Sequence, residues 1–277
     1  MLEPCRQLEQ EGYEVTYLKP DRTGHISAGQ VAEALREDTV LVSVMLVNNE
    51  TGCLFPVADI ARLLKERGSR ALLHCDAVQG FLKVPCNPAG WGVDLMSLSA
   101  HKIGGPKGIG ALYVRPDLRN LRPLLAGGGQ EEGLRSGTEA TAQIAGFAKA
   151  VELRQEHLDE TLRHMADIKA YCRERLLSIP GVVPVGEGTA PHILAVSLVG
   201  YPSANIVTDL GAQGICISAG SACHQGKASH VVSALGLDKK TAAGVIRISF
   251  SPDNTREDVD VLCQALLAHR DSRFPML

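Results

Sequence analysis

The chain has 277 residues, 45% of them apolar and 21% charged, with a formal net charge of −3. This is globular composition, enough for one large domain or two moderate ones. The charge balance argues against a nucleic-acid partner or a polybasic membrane contact, and the longest apolar run, Thr39 to Val47, is too short to span a bilayer.

Taken in chain order, the hydrophobic pattern alternates between helical and strand periods. Helix is predicted at 2–10, strand at 13–18, helix at 29–36 and a continuously apolar strand at 40–47. An amphipathic helix at 57–67 precedes apolar strands at 71–75, 94–98 and 110–114. Continuous apolar strands separated by helices predict a mostly parallel α/β sheet covered on both faces. Near residue 140 the texture changes to charged helical periodicity, stopped at Ile179-Pro180-Gly181. Shorter elements follow: strands at 193–198, 215–218 and 245–250, and helices at 204–210, 229–235 and 256–268. The expected division is a large domain over 1–150 and a small α+β domain over 151–277.

Eight cysteines are scattered at Cys5, Cys53, Cys75, Cys86, Cys172, Cys216, Cys223 and Cys263, without Cys-x-x-Cys or zinc spacing. They predict a reducing, cytoplasmic chain with neither a disulfide framework nor a metal site. Met1-Leu2-Glu3-Pro4 lacks the pattern of a secretory signal.

Chemistry concentrates in a few stretches. Ser99-Ala100-His101-Lys102 follows an apolar strand and runs into Gly104-Gly105-Pro106-Lys107-Gly108. A poorly solvated lysine there can form a Schiff base with a carbonyl cofactor, and Ser99 and His101 suit phosphate oxygens. The glycines match neither a P-loop nor a dinucleotide fingerprint. Asp76 closes another apolar strand, where it can pair with a pyridinium nitrogen or simply cap the next turn; Gln79 can donate to a ring oxygen. Asn48-Asn49-Glu50-Thr51-Gly52 follows a third strand, either at the carboxyl-end ligand crevice of such sheets or as an ordinary turn. Cys223 lies on the small-residue stretch 218–226, as thiolate nucleophiles require, with His224 and Lys227 beside it. Arg247, inside an apolar strand, needs an anion: a substrate carboxylate or an internal acid.

Together these segments, with Gly127-Gly128-Gly129-Gln130-Glu131 and Arg135-Ser136-Gly137-Thr138, resemble the cysteine desulfurases of the NifS/IscS type. Those are class V aminotransferase-like pyridoxal-phosphate enzymes of fold type I. The resemblance runs along essentially the whole chain. It implies that Lys102 carries pyridoxal 5′-phosphate as a Schiff base and shuttles protons. Asp76 would pair with the pyridine nitrogen, Gln79 with the ring oxygen, and Asn49 would sit near that oxygen and the substrate. Ser99 and His101 would bind the phosphate, with Thr138 reaching that of a neighbouring subunit in a homodimer. Arg247 would hold the carboxylate of L-cysteine. Cys223 would take its sulfur as a persulfide, release alanine and pass the sulfur to an acceptor such as an iron–sulfur scaffold protein.

The chain departs from the family in three places. It opens inside the pattern, after the family's glycine/threonine phosphate loop and ring-stacking histidine. The nucleophile is followed by His224, where Thr or Ser is usual. The stretch from Cys223 to Arg247 is shorter than in the housekeeping iron–sulfur enzymes. The alternatives are a selenocysteine lyase, another class V lyase or aminotransferase, or an inactive truncated remnant.

Overall fold

The computed structural model describes residues 2–118, 121–219 and 229–275. Helices α1 (Leu2–Gln10) and α2 (Ala28–Ala34) lead into strand β1 (Leu41–Met45), helix α3 (Val57–Glu66), β2 (Leu72–Asp76), α4 (Pro88–Trp91), β3 (Leu95–Ser99) and β4 (Gly110–Val114). A capping box starts α2, with Ser27 and Gln30 satisfying each other's backbone donors. Strands β1, β2 and β3 are parallel neighbours, and β4 joins β3 antiparallel.

One face of this sheet is packed. Leu73, Cys75 and Met96 meet Val57, Ile60, Ala61 and Leu64 of α3 in a continuous core. The opposite face is open among the described residues: Leu41 is 43% and Leu112 54% exposed. Strand β2 therefore alternates between buried and half-buried positions. The expected coverage of both faces is not observed. Apolar residues stand on both faces, but α3 packs on one, and the helices Leu158–Leu177, Ser203–Gly211 and Arg256–Ser272 gather on a second sheet. The open face carries a polar line across three strands. Ser43 Oγ lies 2.8 Å from His74 Nδ1, and His74 Nε2 lies 2.9 Å from Ser97 Oγ. Burial pushes the proton affinity of His74 down, opposed by the nearby Asp76.

The second half contains α5 (Thr141–Glu156), α6 (Leu158–Leu177), β5 (Val182–Pro184), β6 (Ile193–Leu198), α7 (Ser203–Gly211), α8 (His230–Ala234), α9 (Lys239–Ala243), β7 (Val245–Ser249) and α10 (Arg256–Ser272). Strands β5-β6-β7 form an antiparallel sheet. All six residues of β6 are buried. Leu194, Val196 and Leu198 join Ile168, Cys172 and Leu176 of α6 with Leu262 and Leu266 of α10. Ala195, on the other face, joins Val185, Leu235 and Val245. Ile193 belongs to the core of the first sheet and so ties the two halves together. The architecture is a mostly parallel α/β sheet with a smaller antiparallel one.

Two predicted strands do not form. Residues 13–18 run extended without ladder partners, and Tyr13 and Tyr17 are 56% and 44% exposed. Residues 215–218 make only a bridge between Ser218 and Arg247. Strand pattern without a neighbouring edge yields extended chain, because the backbone groups need partners. Among the described residues no helix is long and apolar enough to cross a membrane.

Candidate active site

The carboxyl ends of β2 and β3 bring Asp76 and Lys102 into one neighbourhood. Parallel register sets Asp76 opposite Ser97. Two residues later β3 gives way to a 3₁₀ turn, Ala100–Ile103, that carries His101 and Lys102. Ile103 is buried against Leu82 and Ala150, which anchors the turn from below. Gly104 ends it at φ 87°, a left-handed conformation that a side chain would strain. Ser99 Oγ lies 2.8 Å from His101 Nδ1, so these two polar groups stand together beside Lys102. Asp76 is half-buried, and its Oδ1 accepts the Val78 N–H at 3.1 Å. Gln79 lies in the turn just beyond.

A second group forms where the β1 loop meets β7. Asn48, buried, accepts the backbone N–H groups of Glu50 and Thr51 at 2.9 and 3.0 Å, which shapes the turn that presents Asn49. Arg247 Nη1 donates to the Asn49 carbonyl at 2.9 Å. Among the described residues its Nε is buried without a partner, on the edge a carboxylate clasps side-on. Burial lowers the proton affinity of Arg247, and Glu50 partly restores it.

Glu50 was missed as a site residue. It is 4% exposed, its Oε2 accepts from Ser229 Oγ, and its Oε1 has no partner among the described residues. The only sequence signal was an acid inside a turn that follows a buried strand.

Cys223 lies outside the described residues, in 220–228. The residues on either side are held at the Arg247 group. Ser218 exchanges backbone hydrogen bonds with Arg247 at 3.1 and 2.7 Å, and Ser229 is bound to Glu50. Of the other cysteines, Cys75 and Cys172 are buried, their thiols pushed up to about 12; such groups are inert as nucleophiles. Thr138 is exposed on the loop before α5 and makes no hydrogen bond among the described residues. The structure therefore joins Asn49 to Arg247 and sets Asp76, Ser99, His101 and Lys102 on adjacent strand ends, while Thr138 stands apart.

Residues 1–262 match the family described as aminotransferase class-V. The chain belongs to this family. It is 42% identical over 275 residues to the cysteine desulfurase IscS of Azotobacter vinelandii, covering 96% of this chain and 67% of that one. It superposes on a solved NifS-like protein with a TM-score of 0.91 at 35% identity, covering 98% of this chain and 72% of that one. A structure described as SspA in complex with cysteine is 36% identical with a TM-score of 0.75, covering 92% and 71%. The chain thus spans about two thirds of the length of the curated relatives it matches. Class V aminotransferases of the cysteine desulfurase type use pyridoxal phosphate. The residues present suit that group: a lysine amine, a half-buried carboxylate at an adjacent strand end, and a Ser–His pair beside the lysine.

Proposed function

We propose that this chain is a cysteine desulfurase, converting L-cysteine to L-alanine with transfer of the sulfur to Cys223. One observation carries the reading. Arg247, whose Nε has no partner among the described residues, donates to the Asn49 carbonyl and exchanges backbone hydrogen bonds with Ser218, which supports a carboxylate-binding role for it. The solved relative with bound cysteine supports the substrate class.

Pyridoxal phosphate, when bound, supplies an electron sink that labilises bonds at the substrate Cα and Cβ. Lys102 would hold it and afterwards move a proton from its Nζ. Asp76 would keep the pyridine nitrogen protonated, Gln79 and Asn49 would meet the ring oxygen, and Ser99 and His101 would take the phosphate. Arg247 would orient the substrate through its carboxylate. The Cys223 thiolate attacks the substrate sulfur: the sulfur–sulfur bond forms, the carbon–sulfur bond breaks, and the electron pair left on carbon takes a proton to give alanine.

The same reading includes a homodimer in which Thr138 reaches the partner's cofactor phosphate, a sulfur-acceptor protein, and a cytoplasmic location. It also divides the chain into a cofactor-binding part, 1–150, and a smaller part, 151–277, with one core around Leu73, which Ala190 and Ile193 join, and another around Val196. The test is alanine and persulfide formation from L-cysteine and pyridoxal phosphate. Both stop in Cys223→Ser; alanine and persulfide formed at the native rate by that variant would refute the assignment.

A further inference from the structure

Lys102 and His101 also border a cavity of about 220 Å³ that extends away from the other proposed cofactor residues. Lys83, His101, Lys102, Arg154 and His192 line it, with Ser251 and Phe250; Asp76, Gln79, Ser99 and Arg247 do not. No carboxylate contributes to its wall. Among the described residues, neither Lys83, Lys102 nor Arg154 forms an ion pair. Arg154 spends its Nε on the Ile103 carbonyl at 3.2 Å, which fixes the guanidinium against the Lys102 turn. His192 is 3% exposed; the Gln79 backbone acts on it as an acceptor, but among the described residues neither ring nitrogen reaches full hydrogen-bond geometry.

The residue before Lys83 is strained. Leu82 adopts φ 54°, a left-handed conformation that is costly for a leucine, and is held there by burial against Ile103 and Ala150. We infer that the cavity is a binding site for a small oxyanion held by Lys83 and Arg154, an occupant distinct from the cofactor phosphate although His101 and Lys102 border the cavity too, and independent of the desulfurase reading. Clustered cationic donors without an acid are stabilised by an anion that satisfies several of them at once.

The electrostatics agree. Burial, with Lys102 and Arg154 nearby, pulls Lys83 down to about 8. Burial with Lys83 and Lys169 pulls His192 down to about 3. Lys169 differs: its ammonium is already satisfied by the carbonyls of Gly188 and Ala190. An anion in the cavity would relieve the repulsion on Lys83.

The experiment is titration of inorganic phosphate into the protein, followed by calorimetry and by ³¹P line broadening. Native protein, Lys83→Met, Arg154→Lys and Ser99→Ala are compared, with and without bound pyridoxal phosphate. Saturable binding is expected, weakened at least about tenfold in Lys83→Met and Arg154→Lys, because each change removes or misplaces a charge-assisted donor. It should persist in Ser99→Ala and in cofactor-loaded protein. Arg154→Lys keeps the charge, so it reports on geometry if Lys83→Met perturbs folding. No saturable binding, or binding indifferent to Lys83 and Arg154, overturns the inference. Loss of binding in Ser99→Ala or on cofactor loading also overturns it, since the anion would then occupy the cofactor's phosphate seat. Cysteine turnover is not read in any arm, so this result is separable from the desulfurase assignment.

Discussion

The two sheets divide the work unequally. In the antiparallel sheet β6 is buried at every position, with distinct cores on its two faces. In the larger sheet β2 alternates, and its less buried face carries Ser43, His74, Asp76 and Ser97. Complete burial makes a stiff support. Incomplete burial leaves polar side chains free to meet a ligand. Arg247 links the two, since it lies on a buried strand of the small sheet yet reaches the loop after β1.

Substitutions can break this contrast. The largest effect on chemistry is expected from Lys102→Ala, which should lower the alanine-forming rate at least about a thousandfold through loss of the proton-transfer group and leave the urea midpoint close to native. Equal losses of rate and stability would show that the Lys102 turn is structural rather than catalytic. The largest effect on stability is expected from Ile246→Ala, at a fully buried position of β7. It should cost about 2–5 kcal/mol in urea unfolding through lost burial and a residual cavity.

Arg247→Lys tests the link. A lysine cannot offer the planar fork, so KM for cysteine should rise about tenfold or more with a smaller change in kcat. An unchanged KM would move carboxylate binding elsewhere.

A smaller effect concerns pH. Lys83 and Lys169 are both held near 8 in the folded chain against 10.5 when exposed. The unfolded chain therefore binds those protons more tightly, and this contribution to stability rises as pH goes from about 8 to 10.5. Lys83→Met should remove about half of that rise, measured as the difference between the two proteins' urea midpoints across the range. His192 acts lower. With a folded value near 3 against 6.5, its contribution falls as pH drops from 6.5 toward 3. The smallest effect is expected on the open face, where Leu112→Ser should change stability by about 0.5 kcal/mol or less; a cost of several kcal/mol would mean that this face is covered in solution.

Local pattern revealed much of the fold. The parallel strands, α3, α5, α6 and α10 were legible because their periods and stop signals are local. Helix α4 was not, since Pro88–Trp91 is a single turn capped by Asn87; nor was β5, three residues that exist only by pairing with β6. Asp76 and Lys102 were legible as site candidates because each directly follows an apolar strand. Lys83 and Arg154 were not, because an ordinary lysine and a helical arginine become unusual only when a fold places them together without an acid.

The sequence by itself determined most element types, the Lys102 turn and the family resemblance, since these depend on residues close together in the chain. Only the tertiary structure decided that Asn49 and Arg247, 198 positions apart, share a hydrogen bond, and that Glu50 lies buried against Ser229. It also decided that one face of the larger sheet is open among the described residues and that a cationic cavity backs Lys102. The physical reason is common to all four: burial and charge compensation are properties of neighbours in space, and only chain folding chooses which residues those are.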